Sequence, residues 1–263
     1  MVVPAAVDNG VTGIAGRPAV VLLHGVGGGK AQWTSQLEQL AHAGWRAIAW
    51  DMPGYGNSAA PDDFTFAALA ASLEALLDRH ALARAVLVGH SMGGMVALEA
   101  CAHFPQRIAG LVLACTSARF GSSDGAWQRD FIAERVAPLD AGRGMAGLAA
   151  EQVPKMMTRS ASHAARSAAS AVMSDVPEES YRRALDCLMT FDRRELLPLI
   201  DTPTLVLAAA ADVQAPPAVM EKMAARIHGA EYVVLPDCAH LANFERPDLF
   251  GNALCDFLAR RCA

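Results

Sequence analysis

The sequence predicts an α/β protein in which a mostly parallel β-sheet is covered by helices on both faces. Short apolar runs alternate along the chain with longer segments of helical periodicity, and this alternation is typical of βαβ units. The runs are almost continuously apolar, as expected of strands that are buried on both faces. The predicted strands cover residues 19–24, 46–51, 85–89, 108–115, 204–209 and 232–235.

Helices are predicted between these strands. Residues 65–80 repeat apolar side chains at helical spacing, so this segment should lay one apolar face on the sheet. Further helices should follow Gly29, Ser91, Pro217 and Pro247. The two prolines suit the first turn of a helix, because an N–H group there has no intrahelical acceptor.

Residues 117–200 interrupt the alternation of strands and helices. The segment shows no strand pattern and reads as several helices separated by Gly, Pro and Ser. We therefore predict a core domain made of residues 1–116 and 201–263, with residues 117–200 inserted as a helical cap. Within the cap, the Ala- and Ser-rich residues 160–171 are expected to form a helix.

Composition restricts the class of protein and of partner. The 263 residues are 53% hydrophobic and 19% charged, with a formal net charge of -5, which is typical of a globular protein. Basic residues are scattered, so we expect a small-molecule partner rather than nucleic acid or a membrane surface. No apolar run approaches the roughly 20 residues of a spanning helix, and the first 16 residues do not resemble a signal peptide. A cytoplasmic location is expected, with monomer and homodimer both open.

The chain has six cysteines without CxxC spacing. Most of them lie inside apolar helix or strand patterns, so buried free thiols are favoured over disulfides or a zinc site. Neither a metal nor an organic cofactor is expected. The cysteines are Cys101, Cys115, Cys187, Cys238, Cys255 and Cys262.

A tight glycine-rich turn joins the strand at 85–89 to the helix that follows. Its sequence from Gly89 to Gly94 is Gly-His-Ser-Met-Gly-Gly. A turn this sharp strains the backbone of Ser91, and glycine on either side avoids the clash that a Cβ would create. The Ser91 hydroxyl should stand clear of the sheet, as a nucleophile does; an ordinary glycine-rich turn is the alternative.

A nucleophilic serine needs a base within hydrogen-bond reach and a carboxylate that orients the base. His240 follows the last strand, and Asp212 follows the strand at 204–209. Because the carboxyl ends of parallel strands meet at one edge of a sheet, we expect both side chains near Ser91. Asp237 lies closer to His240 in sequence and is the rival carboxylate, but the strand end favours Asp212.

An attacked carbonyl becomes an oxyanion, which needs N–H groups already aimed at it. Met92, at the start of a predicted helix, offers one such group. The glycine-rich residues 24–29 end the first strong strand and offer the Val26 N–H as the second. The alternative, a phosphate-binding loop, would require a GKS or GKT ending or GxGxxG, and the segment has neither.

Together these segments resemble the α/β-hydrolase family and, within it, the 3-oxoadipate enol-lactonases and related small carboxylic-ester hydrolases. The resemblance spans nearly the whole chain. It implies a nucleophile, a base and an orienting acid at Ser91, His240 and Asp212. It also implies oxyanion donors at Val26 and Met92. The matching segments are 24–28 with Trp33, 51–58, 91–95, Asp212 with Pro216 and Pro217, and 240–243 with Glu245, Pro247 and Phe250.

The same motifs distinguish this chain from other members of the family. Dehalogenases and epoxide hydrolases resemble the chain but place aspartate where Ser91 stands, so both are excluded. Carbon-carbon bond hydrolases of aromatic meta-cleavage products usually resemble Gly-Asn-Ser and His-Trp at these motifs, whereas this chain has His90 and Leu241. Carbon-carbon bond hydrolysis is therefore the second predicted enzyme function. A cofactor-free perhydrolase and a non-catalytic small-molecule receptor remain as alternatives. The chain differs from the family in two places: Ala209 stands where the family usually has glycine before the acid, and the N-terminus looks too short for the usual opening hairpin.

Four residues of the predicted cap are candidates for substrate contact. Trp127, Phe131 and Met156 are apolar and expected in a hydrophobic pocket. Arg129 lies in a stretch similar to one in enol-lactonases, whose substrate carries a carboxylate that a guanidinium pairs with; a surface arginine is the alternative. The expected function is cleavage of a small ester or lactone, such as 3-oxoadipate enol-lactone, through an acyl-enzyme.

Overall fold

The sheet is built as the sequence predicts, with one additional strand. The computed structural model describes residues 2–14, 16–121 and 125–263. Within them, seven strands form a single sheet of order β1-β3-β2-β4-β5-β6-β7, in which β1 runs antiparallel to β3 and every other pair is parallel. The strands are β1 (Ala6–Asp8), β2 (Ala19–Leu23), β3 (Ala47–Trp50), β4 (Ala85–His90), β5 (Ile108–Ala114), β6 (Thr204–Ala209) and β7 (Glu231–Leu235).

The helices also follow the sequence pattern. Thr65 begins α2 as its N-cap, because its hydroxyl accepts a hydrogen bond from the Ala68 N–H (3.2 Å). In the same way Ser162 accepts from the Ala165 N–H and starts α6 three residues later than residues 160–171 suggest. The helices are α1 (Thr34–His42), α2 (Phe66–Arg79), α3 (Met92–His103), α4 (Ala126–Asp140), α5 (Gly144–Met156), α6 (His163–Ser174), α7 (Glu178–Leu188), α8 (Pro217–Ala224), α9 (Ala242–Glu245) and α10 (Pro247–Arg261).

Apolar side chains fill both faces of the sheet. Along β2, Val21 and Leu23 join the core cluster that contains α2, α3 and α8, whereas Val20 and Leu22 join the cluster that contains α1 and α10. Successive side chains of a strand point to opposite faces. An almost unbroken apolar sequence is therefore required, which explains the continuous runs.

Helices α4 to α7 lie between β5 and β6 in the chain and contribute to the first of these clusters. The two ends of this insertion meet: the Phe120 N–H donates to the Phe191 carbonyl (3.1 Å), and the Arg193 N–H donates to the Ala118 carbonyl (2.7 Å). Residues 122–124 of the predicted cap lie outside the described residues. That 117–200 forms a separate cap domain stays a prediction.

Two further predictions from composition concern thiols and membranes. All six cysteine thiols are free; Cys255 is half-buried and the others are buried. In the part of the chain that the structure describes, no helix combines the length and the apolar character needed to cross a bilayer.

Candidate active site

Ser91 stands at the junction of β4 and α3 in a strained conformation, with φ 53° and ψ -122°. The strain is held by close packing of the turn. A Cβ on Gly89 would lie 2.4 Å from the Gly93 carbonyl oxygen, and a Cβ on Gly93 would lie 2.1 Å from the carbonyl oxygen of Leu23. Only glycine fits at both positions. The turn therefore presents the Ser91 side chain at the carboxyl edge of the sheet.

The structure brings Ser91, His240 and Asp212 into one hydrogen-bonded chain. His240 Nε2 lies 3.1 Å from Ser91 Oγ, and His240 Nδ1 lies 2.9 Å from Asp212 Oδ2. The other oxygen of Asp212 accepts the backbone N–H groups of Gln214 (2.8 Å) and Ala215 (3.0 Å). Because Nδ1 donates its proton to the carboxylate, Nε2 is left as the acceptor that faces the serine hydroxyl.

The Asp212 carboxylate is held in its ionised form. Burial alone would raise the pKa of Asp212, but the neighbouring His240 and the two backbone donors outweigh burial and lower the pKa to about 2. The charge that balances a protonated His240 is thus present at every pH at which the protein is expected to work.

Asp237, the rival carboxylate, is directed away from this chain of groups. Its side chain is 82% exposed and lies 3.8 Å from Arg246. Its backbone has a positive φ of 53°, a conformation that aspartate in turns adopts more readily than most residues. The structure therefore pairs His240 with Asp212, and Asp237 is a turn residue at the surface.

Residues 24–29, which we call the oxyanion loop, pack directly against the nucleophile. A Cβ on Gly25 would lie 3.0 Å from the Cβ of Ser91, and Val26 lines the same cavity as Ser91. Met92 is the first residue of α3, so its N–H has no intrahelical acceptor and lies at the positive end of the helix dipole. Val26 thus lies in the cavity with Ser91 and Met92 follows Ser91 directly; that their N–H groups form an oxyanion hole stays a prediction.

His24 fixes the first peptide of the oxyanion loop, a role that its place at a strand end did not reveal. Its Nε2 accepts the Met52 N–H (2.9 Å), so its Nδ1 carries the proton and donates it to the Gly25 carbonyl (2.8 Å). Burial lowers the pKa of His24 to about 4, which keeps the ring neutral. The Gly25 carbonyl belongs to the same peptide plane as the Val26 N–H, so His24 orients that N–H.

A cavity of about 880 Å³, part of it open to solvent, lies over Ser91 and His240. Inserted helices α4 to α7 supply most of its apolar wall. Trp127, Phe131 and Met156, three of the residues predicted to contact substrate, all line it.

Arg129 is the exception: it is exposed and does not line the cavity. Helix geometry explains the difference. Trp127, Phe131 and Arg135 are spaced by four residues and share one face of α4, whereas Arg129 is rotated by about 200° from Trp127. The structure therefore places Arg129 at the surface, the alternative that the sequence left open.

Arg135 lines the cavity in its place and is 7% exposed. Its guanidinium lies 3.3 Å from the ring centre of Phe131, and its Nη1 donates to the Phe131 carbonyl (3.1 Å). Glu134 approaches only to 4.0 Å from Nη1, with a half-exposed carboxylate. Burial lowers the pKa of Arg135 from its usual value, because the charge is poorly solvated. Its four-residue spacing from Phe131 was the signal that could have identified it.

His90, next to the nucleophile, holds the loop that carries the base. Its Nε2 donates to the backbone carbonyl of His240 (2.7 Å), and the two rings lie 5.1 Å apart. Burial, followed by the proximity of His240, lowers the pKa of His90 to about 3. The ring therefore stays neutral and buried as the medium is acidified.

These two buried histidines should make the protein less stable in acid. The unfolded chain protonates His90 and His24 near pH 6.5, and the folded chain does so only near pH 3 to 4. The stabilisation is complete above pH 6.5 and is lost as the pH falls. At pH 5 each histidine should lower the free energy of unfolding by about 2 kcal/mol relative to its value at pH 7.

Urea denaturation of the wild type and of His90→Gln at pH 7 and pH 5 measures this effect. Between pH 7 and pH 5, the free energy of unfolding of His90→Gln should fall by about 2 kcal/mol less than that of the wild type. His228→Gln, at an exposed position, should behave like the wild type. An equal loss in the wild type and in His90→Gln would contradict the assignment of a neutral, buried His90.

Comparison with known proteins identifies the family to which this chain belongs. The sequence profile of the α/β hydrolase fold matches residues 18–247. A protein from Variovorax paradoxus, provisionally named carbamate hydrolase RutD, is 34% identical over 258 residues, which are 95% of each chain. A thermophilic esterase from Thermogutta terrifontis, solved with malate bound, has 30% identity and a TM-score of 0.87 over 100% of this chain and 95% of its own.

The enol-lactonase from Burkholderia xenovorans LB400 is also similar. It has 28% identity and a TM-score of 0.83 over 97% of this chain and 96% of its own. The profile match covers the predicted strands, the nucleophile turn and the residues around His240. The chain therefore belongs to the α/β-hydrolase family and is a hydrolase.

Proposed function

We propose that the protein hydrolyses small carboxylic esters or lactones through an acyl-enzyme formed on Ser91. The observation that carries this proposal is the hydrogen-bonded chain from Ser91 Oγ through His240 to Asp212 at the floor of an apolar cavity. A hydroxyl with a neutral imidazole as base and a buried carboxylate behind it is equipped for acyl transfer.

In the acylation step Ser91 Oγ attacks the carbonyl carbon while His240 Nε2 takes the hydroxyl proton. Asp212 stabilises the imidazolium that forms. The carbonyl oxygen becomes an oxyanion and receives hydrogen bonds from the Val26 and Met92 N–H groups. When the intermediate collapses, the C–O bond to the leaving group breaks, and His240 returns the proton to the departing oxygen. In a lactone that oxygen stays attached to the acyl chain.

Deacylation uses the same groups with water as the nucleophile. His240 Nε2 takes a proton from the water as its oxygen attacks the acyl carbon. The second tetrahedral intermediate expels Ser91 Oγ, which recovers the proton from His240. The product is a carboxylic acid, and each step requires only water and groups of this chain. We also propose that the inserted helices act as a cap that limits the access of bulk water during these steps.

The cavity favours a small acyl substrate that carries a carboxylate, for which 3-oxoadipate enol-lactone is the leading candidate. Its wall is mainly apolar, and the buried guanidinium of Arg135 retains hydrogen-bond donors beyond the one that contacts the Phe131 carbonyl. A carboxylate would neutralise this buried charge and form charge-assisted hydrogen bonds. The names of the enol-lactonase and of the malate-bound esterase support an acyl or carboxylate ligand.

Replacement of Arg135 by methionine should separate charged from neutral substrates. Methionine keeps an unbranched apolar stem but removes the charge, so kcat/KM for carboxylated esters and lactones should fall by about 10- to 100-fold. Turnover of neutral esters such as p-nitrophenyl acetate should change by less than about threefold, because they make no ion pair.

Arg129→Met is the matched control, since Arg129 lies on the same helix but outside the cavity lining. Steady-state kinetics on a panel of neutral and carboxylated substrates, including 3-oxoadipate enol-lactone, measures both variants. If Arg129→Met is the more damaging change, or if Arg135→Met affects both classes equally, the anionic-substrate proposal fails and only the general esterase proposal survives.

A further inference from the structure

Tyr55 lies behind the oxyanion loop, on the turn that follows β3. Its side chain is 1% exposed, and its hydroxyl donates a hydrogen bond to the Val26 carbonyl (2.9 Å). The ring packs 5.0 Å from the ring of His24. Tyr55 does not line the cavity with Ser91, so the mechanism above gives it no direct contact with substrate.

The contact matters because of the composition of the oxyanion loop. Four of its six residues are glycine, which has many accessible backbone conformations. The Val26 N–H lies in the peptide plane that precedes the Val26 Cα, and the plane that follows restrains the N–H through the position of that Cα. His24 holds the preceding plane through the Gly25 carbonyl. Tyr55 holds the following plane through the Val26 carbonyl.

Helix α6 of the insertion packs against the oxyanion loop from the cavity side. A Cβ on Gly27 would lie 2.3 Å from Cε of Met173 on α6. This methyl group restricts the loop by contact but does not orient a peptide plane. The hydrogen bond from Tyr55 is the directional restraint on the plane that joins Val26 to Gly27.

We propose that the Tyr55 hydroxyl is a positioning group for the oxyanion hole, acting through the backbone of Val26. The inference rests on the proposed function, because an oxyanion hole matters only if acyl transfer occurs. Burial raises the pKa of Tyr55 well above its usual range, so the hydroxyl keeps the proton that it donates. Loss of this donor would free the plane after Val26, and the Val26 residue, with its N–H, would then be held from one side only, by His24 through the Gly25 carbonyl.

Tyr55→Phe removes the hydroxyl and keeps the ring. We expect kcat to fall about tenfold with KM within twofold of the wild type, since one oxyanion donor is worth about 10²–10³-fold and here the donor is loosened rather than lost. The Ki for a trifluoromethyl ketone, whose serine adduct places an anionic oxygen in the hole, should rise by the same factor.

Tyr232→Phe is the matched control. Its hydroxyl also donates to a backbone carbonyl, that of Pro217 (2.8 Å), and Tyr232 does not line the cavity. This variant should leave kcat, KM and Ki unchanged. A Tyr55→Phe enzyme with wild-type kcat and Ki, or with a raised KM at unchanged kcat, would overturn the proposal.

If Tyr55→Phe does not fold, a crystal structure of the wild type with the trifluoromethyl ketone bound decides the question. The oxyanion should lie about 2.7–3.1 Å from the Val26 nitrogen, with the Tyr55 hydroxyl still on the Val26 carbonyl. An adduct in which the Tyr55 contact is broken would overturn the positioning role alone. Failure of the ketone to bond to Ser91 would instead contradict the proposed function.

Discussion

Replacement of Ser91 by alanine should lower kcat for ester or lactone hydrolysis by about 10⁴-fold or more. The reason is chemical: without Oγ there is no acyl-enzyme, and only water held near His240 is left as a nucleophile. The cavity wall and the oxyanion loop stay in place, so KM should change little. Comparing initial rates of wild type and Ser91→Ala on p-nitrophenyl acetate measures the effect.

The folded state of the variant is checked by its urea denaturation curve, which should retain the wild-type slope. Alanine lacks only the hydroxyl, so the substitution adds no bulk to the turn. Ester turnover in Ser91→Ala at a rate close to that of the wild type would mean that the nucleophile lies elsewhere.

Asp212→Asn should be nearly as damaging, with a loss of kcat of about 10³- to 10⁴-fold. The asparagine oxygen can still accept the Gln214 and Ala215 N–H groups, so the loop should keep its shape. Its amide N–H₂ would then face His240 Nδ1, which favours the tautomer with the proton on Nε2. That tautomer cannot accept the proton of Ser91.

Asp237→Asn is the comparison for this change, because it makes the same substitution on the other carboxylate near His240 in sequence. Asparagine tolerates the positive φ found there, and the side chain is exposed. Steady-state rates should be close to wild type. If Asp237→Asn lost more activity than Asp212→Asn, the acid would be assigned to the wrong residue.

The site could be anticipated from the sequence because parallel sheets bring distant residues together in a regular way. Ser91 follows β4 and Asp212 follows β6, so both leave the sheet at its carboxyl edge. His240 follows β7 and reaches the same edge. The predicted strand bounds agree with the observed ones to within one residue at either end. Short apolar runs of four to eight residues, bounded by turn residues, are typical of buried strands.

The features that sequence reasoning missed depend on position in three dimensions. Strand β1 has only three residues and is not buried on either face, so it lacks the apolar pattern of the other strands. Its antiparallel pairing with β3 becomes visible only in the folded chain. Residues 6–8 thus form an edge strand of the sheet.

The prediction of Arg129 followed from the resemblance to enol-lactonases and not from helix geometry. Residues that share the cavity face of α4 are spaced by four, which places Arg135 on that face with Phe131 and leaves Arg129 outside. The roles of His24 and Tyr55 depend on hydrogen bonds to the backbone of the oxyanion loop. A sequence motif does not specify such contacts, because the donor and the carbonyl are separated along the chain.

The most direct test of the account is mass spectrometry of the acylated protein. The enzyme is mixed with an excess of p-nitrophenyl acetate, quenched in acid within milliseconds, and examined intact and after proteolysis. We predict a mass increase of one acetyl group on the peptide that contains Ser91, and no such increase in Ser91→Ala. Acetylation at another residue that turns over at the catalytic rate, or steady-state turnover without any acetylated protein, would contradict an acyl-enzyme on Ser91.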